Sequence, residues 1–414
     1  MRLAVLSPFL DRRHGTERCI IEQLERISSR GGNAIHIYAQ RVEDLQGVTP
    51  FPRSQDAQSS PGTFWHRVGA IPGPHLLQYI FWFYANRLAR ERDARRGLNC
   101  DLTYSPGINA TDADAVTVHI VFHEFVRQVR DELRFRNNPP SSWPRLLHRR
   151  LYYRWIMRLE NAVYNNPRIA LAAVSSLVAQ QLTNYFHRVD VRVIRNGVDA
   201  QALSPAKRLA RRDSARRQFE LRDDQFVLLF IANDWKKKGL DGLLRALAEL
   251  QKLPWTLLIV GADSRAPYEQ TLQTLGIASR VTFLAPSPDV LQFYAAADAY
   301  AAPALEDAYG LPVLEAMACG LPVVASSRAG VSEIVTHDVN GLVLRDPRDT
   351  GELVAALNSL ITDAAFCRRL GEQAALTAQN ETWDRNAQAT WEWLNDARDQ
   401  KNRLASPVQS RTQG

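Results

Sequence analysis

Short apolar runs alternate with amphipathic stretches along almost the whole chain. "RLAVLSP" at the start predicts a strand, "GTERCIIEQLERISSRG" a helix ending at Gly31, and "AIHIYAQ" the next strand. Further on, "AVTVHIV", "RIALAAV" and "VRVIRNG" predict strands separated by helical stretches. The pattern restarts at "FVLLFIAND". It continues through "GLDGLLRALAEL" (helix), "WTLLIVGAD" (strand), "YEQTLQTLG" (helix), "RVTFLAP" (strand), "VLQFYAAA" (helix) and "AYAAPA" (strand). Strands alternating with helices of this length imply an α/β protein with parallel sheets in doubly wound domains. The polar, charged segment 202–225 interrupts the alternation, and the predicted domain boundary falls there, with one domain over 1–203 and a second over 204–383. Ligands of open parallel sheets bind outside the carboxyl ends of the strands, so a cleft between two such domains is the expected site.

The stretch "PALEDAYGLPVLEAMACG" (303–320) sets two acids, Asp307 and Glu315, around a Gly-Leu-Pro. Pro312 suits the first turn of a helix, Gly320 its end, and "LPVVAS" a short buried strand after it. Asp307 is then expected on the loop before the helix and Glu315 in its first turn. From this stretch alone, a core helix with two solvated acids is the plainer reading. Backbone N–H groups after Gly310, at a helix N-terminus, favour an anion such as a phosphate. A carboxylate near that positive end is favoured too, and it can accept hydrogen bonds from sugar hydroxyls. "NDWKKKGLDG" supplies the opposite charge. Lys236, Lys237 and Lys238 follow a predicted strand and precede Gly239, and Lys238 beside the glycine is the better diphosphate ligand. In the first half, Gly15 follows the first strand and would let backbone approach a ligand, although a plain strand-to-helix turn is the commoner meaning. His119 and His123, in "TVHIVFHEF", are expected at the end of a strand. Either could hydrogen-bond a substrate hydroxyl or move a proton, and a structural role is the commoner one.

Composition and charge narrow the setting. The chain of 414 residues is 45% hydrophobic and 23% charged, as ordinary globular proteins are. Cys19, Cys100, Cys319 and Cys367 are far apart and lack ligand spacing, which argues against structural zinc and for a reducing compartment. The N-terminal apolar segment is too short for a signal peptide and no run approaches a membrane span, so the cytoplasm is the expected location. Residues 1–200 hold 27 Arg, no Lys and 18 Asp plus Glu, a net +9, and the remaining 24 basic and 26 acidic residues give −2. An anionic partner for the first half follows. "PHLLQYIFWFYANRLARERDARR" (74–96) and "WPRLLHRRLYYRWIMRLE" (143–160) mix aromatics with arginines. That composition fits peripheral contact with an anionic membrane surface, such as the cytoplasmic face of an inner membrane, and fits core helices with solvated arginines equally well. No RNA or DNA motif is present.

These residues together resemble the retaining family 4 glycosyltransferases, whose fold is GT-B, two Rossmann-like domains facing a central cleft. The resemblance covers nearly the whole chain and is strongest over 226–345. The family's Glu-x7-Glu around Gly-(Phe/Tyr)-Gly-Leu-Pro is matched by "DAYGLPVLEAMACGLPVV", with Asp307 in the first acidic position and Glu315 in the second. "RNGVD" (195–199), the "KKKG" turn, "IVGAD" (259–263), "RVTFLAPSPDVLQFYAAADAY" (280–300) and "AGVSEIV" (329–335) match as well.

The resemblance implies roles for residues. Lys237 and Lys238 would hold a donor diphosphate, and Glu315 its ribose. Asp307 and the backbone after Tyr309, with Gly310 and Leu311, would hold the transferred sugar. Ala285 and Pro286 would face the base, Asn196 would belong to the donor site, and Gly15 would approach the phosphate. His119, or in its place His123, would lie near the transferred sugar. A helix over 384–404 would cross back to the first domain, leaving 405–414 as a loose tail. Three departures stand out: Asp307 in place of Glu, Ala232-Asn233 in place of Gly-Arg, and His14 beside Gly15 in place of a second glycine.

The expected activity is transfer of a hexose from a nucleotide diphosphate sugar, a UDP-sugar, to a hydroxyl of a glycan or glycolipid such as a lipopolysaccharide core. It would retain configuration and use neither cofactor nor metal, with no nucleic acid as partner. The "AND…KKKG" turn resembles the lipopolysaccharide core glucosyltransferase branch. The alternatives are a GT-B-shaped UDP-sugar epimerase and a catalytically weak sugar-nucleotide-binding protein.

Overall fold

Two parallel sheets realise the alternation in a computed structural model that describes residues 1–51, 61–137 and 139–405. The chain divides into unit 1, residues 1–194 with the chain from Asn386 onward, and unit 2, Arg195–Arg385.

Unit 1 contains the strands β1 (Arg2–Leu6), β2 (Phe9–Leu10), β3 (Ala34–Ala39), β4 (Arg41–Val42), β5 (Val48–Pro50) and β6 (Gly62–Arg67). β7 (Leu102–Pro106), β8 (Ala115–Val118), β9 (Ala170–Ala173) and β10 (Arg192–Val193) complete it. Its larger helices are α1 (Gly15–Ser28), α2 (His75–Arg95), α3 (Phe122–Gln128), α4 (Trp143–Tyr164) and α5 (Ser176–Phe186). Among the described residues the main sheet runs β10-β9-β8-β7-β1-β3-β6-β5, every pair parallel. Alternate residues of β1 serve its two faces. Leu3 and Val5 pack with Ile20, Leu24 and Ile27 of α1, and Ala4 and Leu6 pack with Trp82 of α2.

Unit 2 holds α6 (Pro205–Gln218), β11 (Phe226–Ile231), α7 (Leu240–Glu249), β12 (Trp255–Val260), α8 (Ala266–Thr274), β13 (Val281–Leu284) and α9 (Leu291–Ala296). β14 (Ala299–Ala302), α10 (Leu311–Ala318), β15 (Val323–Ser326), β16 (Leu342–Leu344), α11 (Thr350–Thr362) and α12 (Ala364–Ala378) follow. The last helix, α13 (Trp383–Ala405), begins here, and its Trp393, Leu394 and Ala397 join the core of unit 1. The sheet order is β13-β12-β11-β14-β15-β16, all parallel. Counted from β11 this is the 3-2-1-4-5-6 order of a doubly wound nucleotide-binding fold, and it reverses between β11 and β14. Leu240, Leu243, Leu244 and Leu247 of α7 are fully buried on Leu228, Phe230, Leu257 and Ile259, at roughly 1.5–3 kcal/mol per side chain.

The boundary differs from the sequence expectation. Unit 2 begins at Arg195 instead of 204, and most of the polar segment 202–225 folds as α6 inside that unit. Arg208, Arg212 and Arg216, one helical turn apart, donate to the carbonyls of Ala296 and Ala297 at the end of α9. Arg212 and Arg216 also pair with Asp298. The strand read in "VRVIRNG" shrinks to Arg192–Val193, since Val198 pairs with Thr382 instead. Apart from the end of α13, the tail lies outside the described residues.

Candidate active site

Two loops leave the carboxyl ends of adjacent strands at the switch point of unit 2. The basic turn follows β11 and ends at Gly239, whose φ of 86° caps α7. A Cβ there would stand 2.0 Å from the Pro303 carbonyl oxygen, so only glycine lets this turn lie against the chain leaving β14. Leu305 N–H donates to the Lys237 carbonyl at 2.9 Å and joins the two loops. The side chains then pair. Lys237 Nζ lies 3.0 Å from Glu306 Oε2, and Lys238 Nζ lies 2.7 Å from Asp307 Oδ2.

The basic turn owes its shape to the next loop along the sheet. Asp263, after β12, accepts the backbone N–H groups of Asp234 and Trp235 at 3.2 and 2.8 Å. The Trp235 indole is buried and donates to Ala232 O, packing so close to Gly261 that a Cβ there would be 2.4 Å from its Nε1. "IVGAD" therefore works as a mould for the lysine turn. Asn233, one of the three departures noted from the sequence, is exposed.

The acidic loop is held from behind by the segment 328–331. Asp307 N–H donates to Arg328 O, Gly330 N–H to Asp307 O, and Val331 N–H to Tyr309 O at 2.7 Å. Asp307 Oδ1 accepts Tyr309 N–H, and Gly310 caps α10 in a left-handed conformation. Leu311 opens that helix. The buried Tyr309 donates its hydroxyl to the Asn196 carbonyl at 3.0 Å. Asn196 is itself buried, and its side-chain Oδ1 has no hydrogen-bond partner among the described residues. Around it, "RNGVD" is tied to the start of α13: Arg195 pairs with Glu381 at 3.1 Å and Val198 N–H donates to Glu381 O.

Glu315 differs from its sequence expectation. It lies in the second turn of α10, with its carboxylate buried, and Tyr294 donates its hydroxyl to Oε2 at 2.7 Å. Burial first, and the neighbouring Glu315 next, raise the Tyr294 pKa well above the usual phenol value, so it remains a donor. Ala285 and Pro286 are exposed just past β13, at the edge of the sheet.

In unit 1, Gly15 opens α1 immediately after His14, whose Nδ1 lies 2.8 Å from the buried Asp11. His119 follows β8 directly. Its Nε2 is sealed from solvent and has no hydrogen-bond partner among the described residues, and burial lowers its pKa to about 4. His123 is not on a strand: it sits in α3, where Nδ1 lies 2.5 Å from Glu160, a carboxylate with no solvent exposure. Among the described residues no group of three or more His, Cys, Asp or Glu is gathered as a metal site, and no helix is long and apolar enough to cross a membrane.

Glu306, Tyr294, Asp263 and Trp235 were not singled out from the sequence. Glu306 stands beside Asp307 in "LEDAYG", a visible signal. Asp263 and Trp235 act through contacts between loops, and Tyr294 through a contact between the helices α9 and α10, none of which a local pattern reveals.

Residues 211–377 match the family model described as Glycosyl transferases group 1. The chain is 34% identical over 235 residues to the D-inositol 3-phosphate glycosyltransferase of Stackebrandtia nassauensis. That match takes in 53% of this chain and 52% of the relative, so the chain spans about half the length of the curated relatives it matches. Among solved structures, WaaG, a glycosyltransferase involved in lipopolysaccharide biosynthesis, superposes with a TM-score of 0.69 at 18% identity, covering 96% of this chain and 98% of that one. Anabaena HepE in complex with UDP-glucose superposes at 0.66 with 21% identity, covering 96% and 100%. Residues 211–377 are thus similar to the glycosyl transferases group 1 family, in a chain whose two Rossmann-like parallel sheets have GT-B structural neighbours.

Proposed function

We propose that the protein is a retaining glycosyltransferase of family 4 that moves a hexose from a UDP-sugar to a hydroxyl of an anionic glycan or glycolipid. The observation that carries this reading is the charge pairing at the switch point of unit 2, where Lys237 meets Glu306 and Lys238 meets Asp307. When the anomeric C–O bond breaks, negative charge grows on the leaving diphosphate. Two ammonium groups fixed on a rigid turn stabilise that charge more than they stabilise the bound donor, which is how such a site accelerates reaction. As the diphosphate arrives, Lys238 exchanges Asp307 for phosphate oxygens, and Asp307 turns to the hydroxyls of the transferred sugar. Backbone at Gly310 and Leu311 supports the same sugar.

The remaining roles follow from chemistry. The Glu315 carboxylate accepts ribose hydroxyls, with Tyr294 fixing its orientation. Asn196 offers its partnerless Oδ1 to the donor side, Ala285 and Pro286 meet the base, and Gly15 admits a phosphate close to backbone. His119, neutral at pH 7, offers the transferred sugar a single hydrogen bond, and no step uses a metal ion. The UDP-glucose complex of HepE favours a UDP-sugar. The name shared by the curated relatives favours a phosphorylated polyol acceptor, which suits the arginine-rich first half. A lipopolysaccharide-core acceptor has only the likeness of fold to WaaG behind it.

The test is thermal unfolding with UDP, GDP, ADP and CMP in turn. UDP at ~100 times its dissociation constant stabilises by about 2.7 kcal/mol. A shift with GDP or ADP alone would replace the UDP-sugar by another donor, and no shift with any nucleotide would sink the donor site. Glu315→Ala must also reduce turnover with acceptor present.

A further inference from the structure

Outside the candidate site, the most unusual surface belongs to α2 and α4 of unit 1. Large apolar side chains stand in the open there: Leu77, Tyr84 and Leu88 on α2, and Trp143, Leu147 and Leu151 on α4, each 45–67% exposed. A groove between the helices is lined by Leu76, Ile80, Leu151, Arg154, Trp155 and Arg158.

The spacing makes this a designed face. At 100° per residue, Trp143, Leu147, Arg150, Leu151, Arg154 and Arg158 fall within about a quarter turn of α4. Three of the six are apolar and three are cationic. The one acid of α4, Glu160, is buried on another side, bound to His123. On α2, Glu91 is taken by Arg87 at 2.9 Å. Arg150 lies over the Phe135 ring at 4.9 Å, and Arg154 and Arg158 have no ion pair or hydrogen bond among the described residues. Arginines beside exposed leucines and tryptophan, with no acid to answer them, ask for a partner that is apolar and anionic at once.

We propose that the α2–α4 face docks on an anionic lipid surface. Trp143, Leu147, Leu151 and Leu88 enter the boundary between acyl chains and head groups, and Arg150, Arg154 and Arg158 reach lipid phosphates along their aliphatic stems. A second copy of this chain is a poor occupant, because a two-fold contact would bring the same arginines together. The face involves no residue of the donor site, so the inference stands or falls separately from the reaction proposed above.

The experiment is co-sedimentation of the full chain with vesicles of phosphatidylglycerol and phosphatidylcholine, against vesicles of phosphatidylcholine alone. Binding to the anionic vesicles, at least about tenfold tighter and weakened by salt, is expected. R150E/R154E/R158E should abolish it, and L147S/L151S should reduce it at unchanged charge. Both variants keep the UDP-induced thermal shift of the parent, which separates loss of docking from loss of fold or of the donor site. Equal partition to both vesicle types would overturn the proposal. So would anionic binding that survives the triple charge reversal, or concentration-dependent dimerisation that R150E/R154E/R158E removes in the absence of lipid.

Discussion

The switch points of the two units have the same topology and opposite chemistry. In unit 1 the loops after β1 and β7 satisfy themselves. Asp11 accepts from Arg13 N–H, His14 N–H and His14 Nδ1, and Asn109 donates to the carbonyls of Leu6 and Pro106. In unit 2 the corresponding loops, after β11 and β14, gather two lysines against two acids on largely buried side chains. Polar groups that close on backbone build a rigid loop. Opposite charges held side by side can be parted by a ligand carrying both phosphate and hydroxyls, so a parallel sheet becomes a site through what its loops leave exchangeable.

The sharpest way to break that contrast is to remove one polar side chain from each switch point. Lys238→Ala takes away an ammonium aimed at the leaving diphosphate and should lower kcat/KM by about 10²–10³, in the range found for deleting one preorganised donor. His14→Ala, whose ring serves Asp11, should cost less than about tenfold. Steady-state kinetics with a UDP-sugar decides it. Equal losses would mean that both switch points act on the substrate.

Acid should separate the units next. Eight of the nine histidines lie in unit 1, and burial holds two of them, His36 and His119, at a pKa of about 4 against an ordinary 6.5. His36 Nδ1 faces His66, which is bound to Asp93, and Tyr38 donates to the same carboxylate. A folded pKa below the unfolded one means that the unfolded chain takes the proton first. Stability is then complete above pH 6.5, falls as pH drops toward 4, and levels off below, by roughly 1–2 kcal/mol per histidine at pH 5. Calorimetry at pH 7 and pH 5 should lower the transition of unit 1 more than that of unit 2, the latter recognised by its response to UDP. His119→Asn should remove part of the fall. Identical melting at both pH values would show that neither buried ring matters.

How much of this the sequence could say depends on the range of the interaction. The strand and helix alternation, the acid positions around Gly-Leu-Pro and the lysine turn were legible, because each rests on residues adjacent in the chain. The arginine-rich segment 202–225 reads as a domain boundary because it has no apolar stripe, although most of it folds as α6. The partners of its arginines, the carbonyl ends of α9 and Asp298, are roughly 80 residues away. Glu315, expected in the first turn of its helix, is the first residue of the second, because α10 opens at Leu311, one residue before the proline. Its Tyr294 partner lies on another helix. The mould formed by Gly261, Asp263 and Trp235 was quoted only as a motif, since nothing local says that a tryptophan will pack on a glycine from the neighbouring strand end.

That mould gives a smaller and more selective test. Gly261→Ala puts a Cβ 2.2 Å from Ala232 O and 2.4 Å from Trp235 Nε1, so the lysine turn must shift. Overpacking of this kind costs about 1–3 kcal/mol, or several degrees of melting temperature for a unit of this size. The UDP-induced shift should be lost along with it. Retained UDP binding in a destabilised Gly261→Ala protein would mean that the turn's exact shape is immaterial to the donor.

The smallest effect expected is also the most specific. Tyr309 is buried, so its ring serves packing, and its hydroxyl is a separable polar feature. In the structure that hydroxyl ties the acidic loop to the Asn196 carbonyl. Tyr309→Phe keeps the buried ring and removes one hydrogen bond, for about 0.5–1.5 kcal/mol of stability. If the tie also positions Asp307 for the sugar, KM for the donor should rise several-fold with kcat little changed, since the lost interaction is equal in ground and transition states. A fall in kcat instead would mean that the loop moves during reaction and that the hydroxyl holds it in the reacting position.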